Sequence, residues 1–234
     1  DVLVDGHGHT ADVKRAILIY QKSGLVNIRN LVVVQSGGNP LFRIGELNGT
    51  YPISAEEVFT VNLTDLDIDS EGTAGALIQA GYGSMKVIVN MKNVDFAWKT
   101  TNTNAKNIIV AGADNKTTEL DLNIEYCTFD TTNVSATKAI HAKDGVTGTI
   151  TFKNSTVKTK EADVIRLGNM DLAIDTATAF WKGETQSVAL VDGVQKGDFY
   201  AAVTLVNSAT AKTRMDIVNN FTHNNSSGVT INNA

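Results

Sequence analysis

The sequence predicts an all-β chain wound as a solenoid, with three short strands per turn and about seven to eight turns over residues 1–234. Three observations predict it. A pattern with apolar residues at its first, third, sixth and eighth positions occurs seven times. Asn or Asp recurs at the fifth position. A further short apolar run, usually beside a glycine, follows each copy after a loop of variable length. A repeat of 20–50 residues built from short strands is the mark of a solenoid, in which each turn buries its apolar face only against its neighbours.

Taken in order, the chain opens with Val2-Leu3-Val4 and the turn Asp5-Gly6-His7-Gly8-His9-Thr10. A short apolar run, Ala16 to Tyr20, follows. The first full copy is Val26, Ile28, Leu31 and Val33, with Asn30 at position five. The second is Val61, Leu63, Leu66 and Ile68, with Asp65. The third is Val89, Met91, Val94 and Phe96, with Asn93. The fourth is Leu122, Ile124, Cys127 and Phe129. The fifth is Ile150, Phe152, Ser155 and Val157, with Asn154. A degenerate sixth is Leu172, Ile174, Ala177 and Ala179. The seventh is Val203, Leu205, Ser208 and Thr210, with Asn207.

Positions one to three alternate as a strand does, in, out, in. Between positions three and six the alternation slips by one residue, so one residue must absorb a bend and restore the inward face. Asn and Asp tolerate the left-handed backbone such a bend needs. Each copy therefore reads as two strands around a corner. The third strand of each turn is the later run: Phe42-Arg43-Ile44, Ile78-Gln79-Ala80, Ile109-Val110-Ala111, Ile140-His141-Ala142, Ile165-Arg166-Leu167, Ala189-Leu190-Val191 and Met215-Asp216-Ile217. Polar loops at 46–58 and 97–107 vary most. No linker or change of composition divides the chain, so residues 1–234 read as a single domain.

These rungs, the Asn corners and the opening Val4-Asp5-Gly6-His7-Gly8-His9-Thr10 resemble the right-handed single-stranded parallel β-helix of the pectate-lyase-like superfamily. The resemblance covers nearly the whole chain and implies a right-handed parallel β-helix. That superfamily includes lyases, hydrolases, epimerases, tailspikes and adhesins, so the fold alone names no activity. Its members usually carry an N-terminal capping helix, and no such segment precedes Asp1. The C-terminal sequence likewise shows no cap. The expectation is a fragment or processed chain, or one whose ends associate end to end or as a trimer.

Composition narrows the partners. With Lys and Arg at 20 and Asp and Glu at 25, the net charge of −5 gives no basic footprint for nucleic acid. No apolar run is long enough for a membrane span. The lone Cys127 cannot form an intrachain disulfide, and its inward position points to an inert buried thiol. Eight Asn-x-Ser/Thr sequons occur, Asn48, Asn62 and Asn220 among them.

Stacked turns place equivalent positions about 4.8 Å apart, so outward columns are readable from the sequence. Asp67 and Asp95 share position seven, with Asp69 two residues beyond Asp67. Clustered oxygens suit a hard cation, so Asp67, Asp69 and Asp95 are candidate calcium ligands; a solvated acidic face is the plainer reading. No other cofactor is indicated. The third-strand column Arg43, Gln79, Val110, His141, Arg166 places His141 beside Arg166. With Asp67 and Asp95 these are the candidate catalytic residues for acid/base work on an acidic sugar; ordinary surface side chains are the alternative. Trp98 and Trp181 fall at one position in their copies, about 14 Å apart over three spacings, as a pair able to stack on sugar rings or to fold over apolar surface. His7 and His9 lack a third metal ligand. Thr128, Thr156 and Thr178 lack the paired rows an ice-binding face needs. No Gly-x-Ser-x-Gly, phosphate-loop or Cys-x-x-Cys motif is present.

The function expected is binding, adhesion or scaffolding by a secreted or cell-surface protein, with a polysaccharide or cell-surface glycan as ligand. The alternatives are a polysaccharide lyase or glycoside hydrolase, and a phage tailspike or filament subunit.

Overall fold

The computed structural model describes residues 1–19, 24–45, 58–71, 78–80, 85–99, 101, 107–112, 117–134, 138–161, 163, 165–222 and 229–232. Most of the polar loops at 46–58 and 97–107, with Asn48, Pro52 and the pair Glu56-Glu57, lie outside that set, as do Tyr20 to Ser23 and much of the tail. Among the described residues the protein is all-β with one helix, and its two large sheets are mainly parallel.

The rungs align residue for residue. Strands Gly24–Gln35, Val58–Ser70 and Met85–Trp98 pair in parallel, with Val26, Val61 and Val89 in register. The column continues through Leu122, Ile150 and Leu172. Position eight runs Val33, Ile68, Phe96, Phe129, Val157 and Phe180. These side chains are buried. Register is held because a one-residue slip would turn every apolar side chain to solvent. A second, six-stranded sheet stacks Ile17–Ile19, Phe42–Ile44, Ile78–Ala80, Ile109–Ala111, Ile140–Ala142 and Ile165–Arg166 in sequence order, all parallel. Its inward residues join the same core.

Position five bends as the pattern requires. Asn30, Asp65, Asn93 and Asn154 have φ of 54°, 54°, 52° and 47°. Tyr126 does the same at 55° without a side chain that favours it. In the opening turn, the Asp5 carboxylate accepts from the Arg29 guanidinium at 2.8 Å, the Asn30 amide at 3.1 Å and the His7 backbone N–H at 3.0 Å. Gly6 packs so closely that a Cβ there would stand 2.6 Å from the Asn30 carbonyl, and Gly8 has φ of 78°. The Asp-Gly-His-Gly stretch is thus a clamp on the first corner.

Three expectations are corrected. The sixth copy carries one extra corner residue, because Ala179 pairs with Thr156 and Phe180 with Val157. Phe180, not Ala179, fills the core there, Thr178 turns inward beside Ser155, and Trp181 lies at position nine. The Asp175 carboxylate holds this longer corner, accepting from Thr178 and from the Asn154 backbone N–H.

The seventh copy is not a rung. Phe199–Ser208 is an α-helix capped by Asp198, whose carboxylate accepts from the Ala201 N–H at 2.8 Å. Ala202, Val203 and Val206 are buried at helical spacing. Asn207 makes no corner and instead pins the tail, donating to the Thr230 carbonyl and accepting from Asn232.

The C-terminal end of the stack is closed, not bare. Ala189–Val191 pairs antiparallel with both Val194–Lys196 and Met215–Ile217, so neither apolar run is a third strand. Trp181 and Lys182 pair antiparallel with Gln186 and Thr185. The Arg214 guanidinium donates to the Leu172 carbonyl and is fixed by the Asp216 carboxylate at 2.7–3.0 Å. The Asp192-Gly193 turn packs on the Ile165 carbonyl. Each of the strands Ile165–Arg166, Asp171–Ile174 and Ala179–Lys182 thus meets a part of this C-terminal segment.

Candidate functional site

The alternation that buries positions one and three sends position two outward. In four successive rungs that position is Asn. The amides form a ladder: Asn123 donates to Asn90 at 2.8 Å, Asn90 to Asn62 at 2.7 Å, and Asn62 to Asn27 at 2.8 Å. An amide has two N–H donors and a carbonyl with two lone pairs. A middle member spends one donor and one lone pair in the column and keeps one of each.

Position four, on the same face, holds Arg29, Thr64, Lys92 and Glu125 in register. The short Thr64 between two long neighbours leaves a trough of about 640 Å³, floored by the four Asn and walled by Arg29, Lys92 and Glu125. Its cations are both paired: Arg29 with Asp5, outside the lining, at 2.8 Å, and Lys92 with Glu125 at 3.6 Å. Asp65, also in the lining, accepts from Asn93 at 2.8 Å. Within the lining itself Arg29 and Lys92 stand against Asp65 and Glu125, so it is neutral overall. This ladder was absent from the sequence-derived candidates, although Asn27, Asn62, Asn90 and Asn123 stand at one position of four consecutive copies.

Beyond the corner, Asp67 and Asp95 are in register and exposed. With His7, Asp65 and Asn93 they line a groove of about 470 Å³. Asp69 points the same way but is bound to Lys99 at 3.0 Å, an ion pair that raises the lysine pKa. No three His, Cys, Asp or Glu side chains converge as a metal site among the described residues. The three-carboxylate calcium arrangement of Asp67, Asp69 and Asp95 is therefore not assembled, because Lys99 takes one member.

The tryptophans do not form an exposed pair. Positions six, eight and ten share the inward face, so Trp98 is 1% exposed and packs edge-on against Phe96 at 5.5 Å. Its indole N–H has no acceptor among the described residues. Trp181 is half-buried at position nine beside Lys158, on the opposite side of its strand from a position-ten residue.

On the third face His141 and Arg166 are brought together, with Nε2 of the ring 3.0 Å from the guanidinium. Arg166 also binds Asp144 at 2.8 Å, and Asn107 lies 3.0 Å from Nδ1 of the ring. Burial and then the Arg166 charge hold the His141 pKa below its usual value. This pair and the Asp67–Asp95 pair lie on different sheets, one on the six-stranded sheet and one on the large sheet. Cys127 is a buried thiol whose pKa is pushed up to about 11 by desolvation, which suits packing rather than nucleophilic chemistry. No family model matches the sequence, and no curated protein or solved structure matches it either.

Proposed function

We propose that the chain is a right-handed parallel β-helix of the pectate-lyase-like kind. It works at the cell surface or outside the cell by binding an extended, hydroxyl-rich glycan along its first face. The observation that carries this reading is the Asn ladder at the floor of the trough. Its free N–H and carbonyl groups repeat at the strand spacing of about 4.8 Å, and a chain of sugar hydroxyls supplies alternating donors and acceptors to match. Arg29 is already paired with Asp5 and Lys92 with Glu125, while Asp65 is bonded by the Asn93 amide; this favours an uncharged polymer, because a charged one would have to break these contacts to be recognised. Glycan-array binding tests it, with Thr64→Trp as the variant that fills the trough and leaves the ladder and core in place. Binding to linear neutral glycans, lost in that variant, is the expected result. No binding across such a panel, or binding indifferent to the variant, overturns it.

A second reading has one observation in its favour: Asp67 and Asp95 stand in register in their own groove. Paired carboxylates serve glycoside cleavage when one is held protonated and the other ionised. Reducing-end release from a polysaccharide panel, abolished by Asp95→Asn, would support it, and no turnover would remove it.

A further inference from the structure

The third face carries a cluster that the proposed glycan site does not use. Asn107 and Arg166 each present a donor to His141, one at either ring nitrogen and both at 3.0 Å. The orientation of Asn107 is fixed, because its carbonyl oxygen accepts the Lys138 backbone N–H at 3.1 Å. Its NH2 group is therefore what faces the ring. A neutral imidazole has a single acceptor nitrogen and an imidazolium has none. One of the two donors consequently always meets an N–H.

The surroundings add to the excess. Among the described residues, Lys138 and Arg166 bear on the ring and Asp144 opposes them. The Asp144 side chain is 84% exposed and meets Arg166 through one contact at 2.8 Å. An ion pair so open to water is weak and replaceable. Among the described residues the cluster is thus rich in donors and positive charge and poor in acceptors, on a chain whose net charge is −5.

We infer that this cluster, formed by Arg166, His141, Asn107 and Lys138, is a binding site for a small oxyanion that displaces the Asp144 carboxylate from the guanidinium. Two oxygens on one centre fit the planar fork of Arg166 better than a single exposed carboxylate contact does. A bound anion also gives a protonated His141 the acceptor it now lacks, so binding strengthens as pH falls through the titration of the ring. The shared chemistry is that of a carboxylate or a phosphate group.

The test is an NMR titration of the full chain with inorganic phosphate and, separately, acetate, at ionic strength held constant with chloride. The His141 ring signals are followed and assigned with His141→Gln. The expected result is a saturable shift of those signals, with the ring pKa rising on binding. Affinity should fall about tenfold or more in Arg166→Gln and rise severalfold in Asp144→Asn. The two variants act in opposite directions, so a folding defect in the first leaves the second to decide. Response to both anions supports a general oxyanion site, and response to phosphate alone supports a tetrahedral one. No saturable shift with either anion, or affinities unchanged in both variants, overturns the inference.

Discussion

At the scale of single residues, the corners show how much one side chain decides. Asp5 accepts from Asn30, His7 and Arg29, and these bonds, the Asn30 amide foremost, lower its pKa from 3.8 to about 2. A carboxylate whose folded pKa is depressed stabilises the fold above its unfolded value and loses that contribution as pH falls through the folded one. Stability should therefore decline between pH 3.8 and about 2, and Asp5→Asn should flatten that limb. Thermal midpoints of both proteins across the window check it; an unchanged limb would count against the clamp. Tyr126 is the corner that no sequence rule picks out. A left-handed backbone costs a residue with a full side chain about 1–2 kcal/mol, and Asn tolerates it. Against that, Tyr126 would give up an exposed contact with Lys92, 5.7 Å away, of about 0.5–1 kcal/mol. Tyr126→Asn should thus stabilise by up to about 1.5 kcal/mol, read from the urea midpoint. Position five was legible as a bend because Asn and Asp recur there. That Tyr126 bends too follows only from its neighbours in register, which force the path.

At the scale of the element, the rung was written plainly in the sequence and its exceptions were not. Apolar alternation with one slip describes residues 24–35, 58–70 and 85–98 as they fold. The same alternation, carried one step further, puts Trp98 inward. The sixth rung escaped because an inserted corner residue shifts everything after Ile174, and Phe180 was the large side chain that marked the true register. The stretch Phe199–Ser208 was read with the strand period when Ala202, Val203 and Val206 follow the helical one. Asp192-Gly193 between apolar runs is a strong hairpin signal, and it marked where parallel stacking ends. The ladder is the element with the clearest energetic test. Asn90 makes two ladder bonds and Asn27 makes one. At about 0.5–1.5 kcal/mol per bond, Asn90→Ala should cost about 1–3 kcal/mol and Asn27→Ala about half as much. Equal losses in denaturant melts would show that the amides act singly and not as a column.

At the scale of the whole molecule, a stack of parallel strands must end somewhere, and each end presents unpaired N–H and C=O groups that invite another chain. Here the last parallel strands meet three different stops: the antiparallel strand Thr185–Gln186 on Ala179–Lys182, the Asp192-Gly193 turn on Ile165, and Arg214 on Leu172. Growth through this end would have to displace all three, so a filament built tail to head is opposed by the chain's own C-terminal segment. Arg214 is the stop that depends on one side chain. Its guanidinium is oriented by Asp216 and its backbone N–H is held by the Asp192 carboxylate at 2.9 Å. Removing it leaves the Leu172 carbonyl without that donor at the edge of the partly exposed strand Asp171–Ile174. Arg214→Leu should lower stability by about 1–3 kcal/mol and introduce concentration-dependent association in sedimentation velocity. Asp216→Asn, which loosens the guanidinium without deleting it, should give a weaker form of both effects. A variant that loses stability yet sediments as the parent does at every concentration would leave Arg214 a stabilising contact only, and assign the barrier against stacking to the hairpin and helix beside it.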